Sequence, residues 1–343
     1  MVGALKKKYF RNTGDSIISV LFISVFLYFG FFFLDWLAFN ATWTGDSSVC
    51  REGEGACWPF ILEKSTFILF GVYPREYLWR PIVGMILLVV FWFHFQQKKN
   101  WNKSLFIKLV GVFFFYWLLL RGVGSYFVST DKWGGLPLTL LLAGVGIIFS
   151  YPLGILLALA RYSGRGVIKL MAVVYIELIR GVPLISLLFM ASVLIPLFLP
   201  SGLTIQKLLR AQLAIILFSA AYFAEVIRGG LQGIDRGQWE GGKSLGMNYI
   251  QLVRFVILPQ ALVKVIPPTV NTVIGMFKDT SLVIIIALFD LMGTTKASMT
   301  DMDWMGFSLE AYLMAAVIYY VICSSMGNFS ARLEEEFQKG KGN

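Results

Sequence analysis

The sequence is organised around one polar stretch, residues 237–259, which reads GQWEGGKSLGMNYIQLVRFVILP and lies between two long apolar segments. Gly246 suits a left-handed residue that ends a first short helix. Asn248 and Gln251 have capping-box spacing, which predicts the start of a second helix, and Pro259 is expected to close the pair. A stretch this polar is not buried in lipid, so we expect it to be displayed outside the bilayer for a soluble partner. An amphipathic loop lying on the lipid surface is the alternative interpretation.

The composition indicates a membrane protein. Of 343 residues, 57% are hydrophobic and only 15% are charged, which is more apolar surface than a soluble core of ordinary size can bury. The net charge of +10 would suit a nucleic-acid-binding protein, but the basic residues cluster in short loops between apolar runs. This distribution follows the positive-inside rule. We therefore expect a multi-pass protein in contact with lipid, with no nucleic acid partner and with both termini in the cytoplasm.

Eight apolar runs predict an all-α integral membrane fold of eight transmembrane helices. They cover about residues 16–39, 81–95, 105–120, 136–160, 167–199, 206–229, 261–291 and 307–326. Three helices form an N-terminal extension, and five form a core.

The predicted domains are the extension at 1–134 with an external loop at 40–79, the core at 135–331 with a cytoplasmic loop at 230–260, and a cytoplasmic tail at 332–343. The fifth run, 167–199, would be about 50 Å long as one helix, against a hydrocarbon thickness of about 30 Å. It therefore cannot be one straight span. The sequence Gly181-Val182-Pro183 is the expected break.

Cys50 and Cys57 lie close together in the predicted external loop. With no histidine or further cysteine nearby they make a poor zinc site, so a disulfide on an oxidising side of the membrane is the better interpretation. The single histidine, His94, lies among aromatic residues at a membrane edge, where interfacial packing explains it. We predict neither a catalytic site nor a metal site.

Two pairs of opposite charges occur three residues apart inside predicted spans, Glu177 with Arg180 and Glu225 with Arg228. Neighbours at this spacing on a helix neutralise each other. The favoured interpretation is structural, with each pair anchoring helices or meeting the membrane interface.

Lys278, Asp279, Thr280 and Ser281 interrupt another predicted span. Adjacent positions on a regular helix diverge by about 100° and do not satisfy each other, so we expect a local unwinding. Asp279, Thr280 or Ser281 would then cap an apolar helix over about 282–289. Broken membrane helices of this kind bind zwitterions in transporters. We predict that the four residues line a substrate path near the membrane midplane; a structural polar cluster is the alternative.

Glu240, Gly246 and the Ile-Leu-Pro at 257–259 stand at the spacing of the coupling-loop signature of ABC importer permeases, which this chain resembles. In that family the loop inserts into a cleft of the ATPase subunit. The resemblance assigns ATPase coupling to Glu240, Gly241, Gly242, Gly246, Leu258 and Pro259. Gly241 and Gly242 stand where the family usually has two alanines, a departure that costs about 1 kcal/mol per residue in helix propensity.

Three further blocks, at residues 176–184, 220–230 and 277–282, resemble the polar amino acid branch of these permeases. With its N-terminal extension, the chain resembles most closely the general L-amino acid permease subunits in the inner membrane of bacteria. The resemblance implies alternating access that carries L-amino acids inward, a sister permease subunit, an ATPase dimer and an external amino-acid-binding protein. No Gly-x-x-x-x-Gly-Lys-Ser/Thr occurs here, so ATP and Mg²⁺ are assigned to the ATPase, and this chain is expected to hold no cofactor.

Two other classes of protein compete with this interpretation. An ion-coupled secondary transporter of small zwitterions would explain the intramembrane charges but would leave the displayed helix pair unused. A membrane-embedded enzyme needs a nucleophile, base or metal constellation, and one histidine with scattered carboxylates does not supply one.

Overall fold

The computed structural model describes residues 9–10, 12–102, 104–164, 166–200 and 202–339. Several basic residues of the segments predicted to be cytoplasmic lie outside these ranges: Lys6, Lys7, Lys8, Arg11, Lys103, Arg165 and Lys341. Within the described ranges the chain is helical, and its only extended pairings are two isolated bridges, Thr42 with Cys57 and Gly135 with Asp290. The predicted all-α fold is confirmed.

The helices are named in chain order. The first half contains α1 (Thr13–Leu34, continued by a π-helical turn at Asp35–Phe39), α2 (Ser47–Glu52), α3 (Trp58–Phe70), α4 (Trp79–Phe95), α5 (Leu105–Arg121) and α6 (Gly135–Tyr162). The second half contains α7 (Gly166–Gly181), α8 (Leu184–Phe198), α9 (Lys207–Gln232), α10 (Arg236–Ser244), α11 (Tyr249–Leu252), α12 (Leu258–Lys264), α13 (Ile266–Asp279), α14 (Leu291–Ser298) and α15 (Ser308–Lys339).

Six helical segments of the described chain are long and apolar enough to cross a membrane, and the count reaches eight if each of two bent pairs is one span. Every one of the eight predicted runs therefore has a helical counterpart. The pair formed by α7 and α8 bends by 100° at Val182 and Pro183, which confirms the predicted break. The other pair joins α5 to a short segment ending at Lys132 and bends by 86°.

The chain divides into two compact units. The smaller comprises the chain up to Ser65 together with Ser298–Met314. Its core contains Cys50, Cys57 and Phe60, packed with Trp304, Phe307 and Ala311. The buried carboxylate of Glu310 accepts a hydrogen bond of 3.0 Å from the Cys57 amide.

A partly buried ion pair also lies in the smaller unit, where Lys64 Nζ is 2.6 Å from Asp301 Oδ2. The hydrogen bond from Lys64 lowers the pKa of the Asp301 carboxyl, because it stabilises the ionised form.

The larger unit comprises Thr66–Ala297 and the chain from Ala315 onward. Its centre is α9, which packs along α6 and also contacts α7, α8 and α13. Phe223 and Ile227 of α9 are fully buried. Gly154 permits the close approach of α6, because a Cβ atom there would lie 2.6 Å from Phe223 Cβ. This pair of helices positions both candidate functional segments described below.

Three predicted boundaries differ from the structure. The segment 40–79 is not simply a loop, because α3 forms there: its 13 residues are too few to span a membrane, and Phe60 gives them a core to pack against. The segment 292–307, which lies between the last two predicted runs, begins with most of α14. The predicted tail at 332–343 starts inside α15, which continues to Lys339 without interruption. The division of the chain at residue 134 stays a prediction.

The Sγ atoms of Cys50 and Cys57 are bonded in the structure, with their Cα atoms 5.5 Å apart. Cys323 is a free thiol. We expect one of the three cysteines to react with an alkylating reagent in unfolded, unreduced protein, and all three after reduction, as counted by mass spectrometry. Replacing both Cys50 and Cys57 with serine should destabilise the fold by about 2–3 kcal/mol, because the unfolded loop regains entropy. Three reactive thiols before reduction would contradict the pairing.

Candidate functional site

The predicted coupling loop, residues 230–260, contains α10, whose two ends are closed by local hydrogen bonds. At its start, the Asp235 side chain accepts from the Gly237 amide at 2.6 Å. At its end, Gly246 has a φ of +75°, its amide donates to the Lys243 carbonyl, and the Met247 amide donates to the Gly242 carbonyl. These bonds form a Schellman motif, so the left-handed conformation predicted for Gly246 is confirmed.

The second helix of the loop begins at a complete capping box. The Gln251 amide donates to Asn248 Oδ1 at 2.9 Å, and the Asn248 amide donates to Gln251 Oε1 at 3.0 Å. The expectation that Pro259 closes this helix is wrong. A π-helical turn at Val253–Ile257 follows α11, and Pro259 lies in the first turn of α12. A proline is tolerated there because the first helical amides need no intrahelical partner, and the wider turn accommodates its ring.

The two glycines that replace the usual alanines have different surroundings. Gly242 is buried, and a Cβ atom there would lie 2.2 Å from Leu252 Cδ1. A Cβ atom on Gly241 would meet nothing within 4 Å. Gly242 therefore allows α10 to pack closely on Leu252 of α11, whereas nothing in the structure explains Gly241.

A stack of three aromatic rings joins the coupling loop to the membrane helices. The Trp239 ring lies 5.4 Å from the Tyr162 ring at the end of α6, and 6.4 Å from the Tyr249 ring of α11. Glu240 is exposed, and its carboxylate has no hydrogen bond or ion pair within the described part of the chain. Leu245 and Ile250 are 82% and 70% exposed. The loop thus exposes the unpaired carboxylate of Glu240 and the side chains of Leu245 and Ile250 on two helices whose ends are capped by hydrogen bonds.

A network of charges connects α6, α7 and α9 next to this stack. Arg161 Nη1 lies 2.9 Å from Glu177 Oε1 and 3.4 Å from Glu225 Oε2. Arg228 Nε donates to both oxygens of Glu225, at 2.9 and 3.0 Å, and Arg180 Nη1 is 3.8 Å from Glu225 Oε2. The predicted pairing of Glu225 with Arg228 is confirmed.

Arg180 does not pair with Glu177 in this network: among the described side chains its ion pair is with Glu225. Sequence reasoning also missed Arg161, because its partners lie 16 and 64 residues away. Arg161 is followed directly by Tyr162, so one end of α6 holds both the charge network and the aromatic stack.

Replacing Glu225 with glutamine should destabilise the larger unit, because three arginines share this one carboxylate. For a pair of intermediate burial we expect a cost of about 1–3 kcal/mol. The midpoint of heat-induced aggregation, followed by size-exclusion chromatography, measures it. Glu177→Gln is the matched control, since its side chain is 56% exposed and contacts Arg161 alone among the described arginines. An equal shift for both variants would contradict the central role of Glu225.

The predicted substrate-path segment, Lys278–Ser281, lies where α13 ends and a 3-10 helix begins at Thr280–Ile286. The helix tightens here and does not unwind, and no side chain caps the new segment. The expected cap by Asp279, Thr280 or Ser281 is therefore wrong. The helix expected over 282–289 is a 3-10 helix and stops at Ile286. The 3-10 segment ends at Ala287, which has a positive φ of 54°.

The four side chains of the segment differ in exposure. Lys278 is exposed, Asp279 and Ser281 are partly buried, and Thr280 is 1% exposed. Thr280 Oγ1 donates to the Phe277 carbonyl at 2.8 Å and lies 3.5 Å from Asp290 Oδ2. Thr280 therefore supports the turn from inside, while its neighbours remain accessible.

Asp290 is a buried carboxylate that sequence reasoning missed. Its Oδ1 accepts from the Gly293 amide at 2.9 Å, and its Oδ2 lies 3.4 Å from the Tyr319 hydroxyl. With Thr280, these contacts join the 3-10 segment, α14 and α15. An acidic residue within the apolar run Leu288-Phe289-Asp290-Leu291 is the signal that could have identified it.

The structure thus places the predicted coupling residues together in one loop and Lys278–Ser281 in one helical transition. Among the described residues, no three histidine, cysteine, aspartate or glutamate side chains lie close enough together to hold a metal ion.

Comparison with known proteins assigns the chain to a family of transport proteins. Residues 150–338, more than half of the chain, match the model of the "binding-protein-dependent transport system inner membrane component". The chain is 42% identical to the inner membrane amino-acid ABC transporter permease protein YhdY of Escherichia coli over 90% of this chain and 85% of that protein. It is 34% identical to the glutamate/glutamine/aspartate/asparagine transport system permease protein BztC of Rhodobacter capsulatus, over 84% and 80%.

A solved structure supports the same assignment. The crystal structure of an amino acid ABC transporter with histidines matches with a TM-score of 0.53 and 32% identity, over 59% of this chain and 92% of that one. These comparisons give no support to an ion-coupled transporter, and the relatives are transporter subunits and not enzymes. The chain is a multi-pass inner-membrane permease that belongs to the family of binding-protein-dependent transport system inner membrane components.

Proposed function

We propose that this chain is the permease subunit of an ATP-driven importer of L-amino acids. The observation that carries the proposal is the closed, exposed helix pair at Arg236–Leu252, joined to α6 by the Tyr162–Trp239 stack. An exposed helix pair with closed ends, in contact with a membrane helix, can transmit a partner's movement to that helix. The amino acid substrate is proposed by analogy with the amino-acid permeases YhdY and BztC.

The proposed partners are an ATPase dimer, a second permease subunit related to this chain, and an external amino-acid-binding protein. In this assignment the coupling loop and both termini face the cytoplasm, ATP and Mg²⁺ bind the ATPase, and this chain holds no cofactor. Glu240 is available for a basic group on the ATPase, and Leu245 and Ile250 are available for its cleft, because all three are exposed.

The proposed mechanism is alternating access. Closure of the ATPase dimer moves the coupling loops of the two permease subunits toward each other. The stacked rings of Trp239 and Tyr162 transmit this movement to the end of α6. Arg161 carries the movement to α7 and α9 through Glu177 and Glu225. The pathway then opens outward to receive the amino acid, and hydrolysis resets it.

Lys278, Asp279, Thr280 and Ser281 are proposed to line the substrate path. An amino acid presents a carboxylate and an ammonium one carbon apart, so its site needs a cation and an anion close together. Lys278 and Asp279, at the end of α13, supply both signs on side chains that are exposed and partly exposed, and the buried contacts of Thr280 hold the helical turn that follows them.

The experiment is co-purification of the chain with its candidate ATPase and second permease, followed by reconstitution and measurement of ATP hydrolysis. Binding protein loaded with an L-amino acid should stimulate hydrolysis, and binding protein loaded with the D-enantiomer is the control. Uptake by the chain without an ATPase, driven by a proton gradient, would overturn the proposal.

A further inference from the structure

A groove of about 560 Å³ lies between α4 and α5, in the part of the chain that precedes the family match. Its floor and walls are apolar along most of its length and include Leu87, Val90 and Phe91 of α4, and Val112 and Phe115 of α5. Two polar side chains, His94 and Lys108, line the same groove.

The two polar side chains lie at one end of the groove. His94 is the penultimate residue of α4, and Lys108 is the fourth residue of α5, so both lie next to the connection between the helices. The apolar liners lie deeper along both helices, up to seven residues away, which is about 10 Å at the rise of an α-helix. The groove therefore has one cationic end and an apolar length, as a phospholipid molecule has a charged head and an apolar chain.

Lys108 is not explained by contacts within the protein. Its ammonium group has no hydrogen bond or ion pair within the described part of the chain, and the residue lies near the N-terminus of α5, where the helix dipole disfavours a cation. Residues 79–121 contain no aspartate or glutamate. An anion at this end of the groove would be favoured by both the lysine and the helix terminus.

His94 is prepared to donate a hydrogen bond. Asn100 Nδ2 lies 3.2 Å from His94 Nδ1 and donates to the His94 carbonyl at 2.7 Å. An amide that donates to Nδ1 leaves the ring proton on Nε2, so Nε2 is the donor that remains free. Trp101, which donates to the Phe95 carbonyl at 2.8 Å, stands beside this end, and tryptophan is typical of the headgroup level of a membrane.

The apolar part of the groove is kept open by a glycine. A Cβ atom on Gly111 would meet nothing within 4 Å, although glycine costs about 1 kcal/mol relative to alanine inside a helix. Packing within the chain does not explain this residue. An acyl chain lying along the groove would use the space.

We propose that the groove between α4 and α5 binds one anionic phospholipid, with its phosphate at Lys108 and His94 and an acyl chain along Gly111. This inference is independent of the transported substrate, and it assigns a binding role to a part of the chain that carries no coupling or translocation residue.

The test uses the full transporter complex, reconstituted with phosphatidylglycerol or phosphatidylcholine that carries a photoreactive group in its acyl chain. After irradiation, mass spectrometry measures lipid adducts on residues 87–94 and 108–115. We expect adducts from phosphatidylglycerol to exceed those from phosphatidylcholine by about fivefold, the effect of one lysine near a membrane surface. Lys108→Gln should reduce the phosphatidylglycerol adducts to the phosphatidylcholine level.

Three controls make the outcome specific. Lys99→Gln removes a lysine that lies in the connection between α4 and α5 but does not line the groove. This variant should preserve the preference for phosphatidylglycerol. Gly111→Leu should remove adducts of both lipids, whereas Gly30→Leu, at another open glycine of an apolar helix, should not. Equal adducts from the two lipids, a preference unchanged by Lys108→Gln, or no adducts because a protein subunit covers the groove, would each overturn the proposal.

Discussion

Gly246→Val should uncouple ATP hydrolysis from transport. Gly246 has a φ of +75°, a conformation that costs an ordinary L-residue about 1–2 kcal/mol and a β-branched residue more. The valine would open the Schellman motif and misplace the start of α11. We expect transport to fall about tenfold or more, the factor that corresponds to ~1.4 kcal/mol of lost docking free energy. Uptake and ATP hydrolysis are measured in the same proteoliposomes.

The matched control is Gly246→Asn, because asparagine tolerates the left-handed conformation. It should retain most of the transport. Glu240→Lys tests the same surface by charge: the exposed carboxylate has no described partner within the chain, so its reversal should disturb a partner and not the fold. Full transport by both Gly246→Val and Glu240→Lys would reject the docking role. Loss of the protein from the membrane would instead indicate a folding defect.

Asp279→Asn should weaken the transport of several amino acids to a similar degree. The carboxylate is proposed to contact the ammonium group that all amino acids share, and a hydrogen bond to a charged group contributes about 1.5–3 kcal/mol. We therefore expect a loss of about tenfold to a hundredfold in transport at limiting substrate, measured with at least three amino acids of different side chain.

Asp303→Asn is the matched control, because it makes the same change at an exposed aspartate outside the segment. It should leave transport unchanged. Basal ATP hydrolysis by the Asp279→Asn complex reports whether the variant assembles. A loss confined to one amino acid would show that Asp279 contacts the variable side chain, and unchanged transport would remove it from the substrate path.

Asp290 supports the segment Lys278–Ser281 from inside the protein, whereas Asp279 is proposed to contact the substrate. It is buried and bonded to the start of α14, and its Oδ2 lies near Thr280 and Tyr319, so it acts on the segment through other residues. Asp279 is partly exposed and has no such set of contacts. Substrate binding is thus proposed for the accessible residue Asp279, whose position depends on the buried residue Asp290.

Features that depend on a few consecutive residues were predictable from the sequence. The left-handed Gly246, the capping box at Asn248 and the bend at Val182 and Pro183 each follow from backbone preferences and hydrogen bonds within one or two turns. The helical class and the eight apolar runs were predictable because lipid requires backbone groups to be satisfied within each span.

Only the tertiary structure decided how distant residues meet. Arg161 became part of the charge network because α6, α7 and α9 bring it to Glu177 and Glu225. Pro259 does not end a helix because the π-helical turn before it accommodates the proline ring. The helix α3 forms because Phe60 packs against Trp304 and Phe307. The charge network and α3 depend on packing between segments far apart in the chain, and that packing free energy overrides local preference.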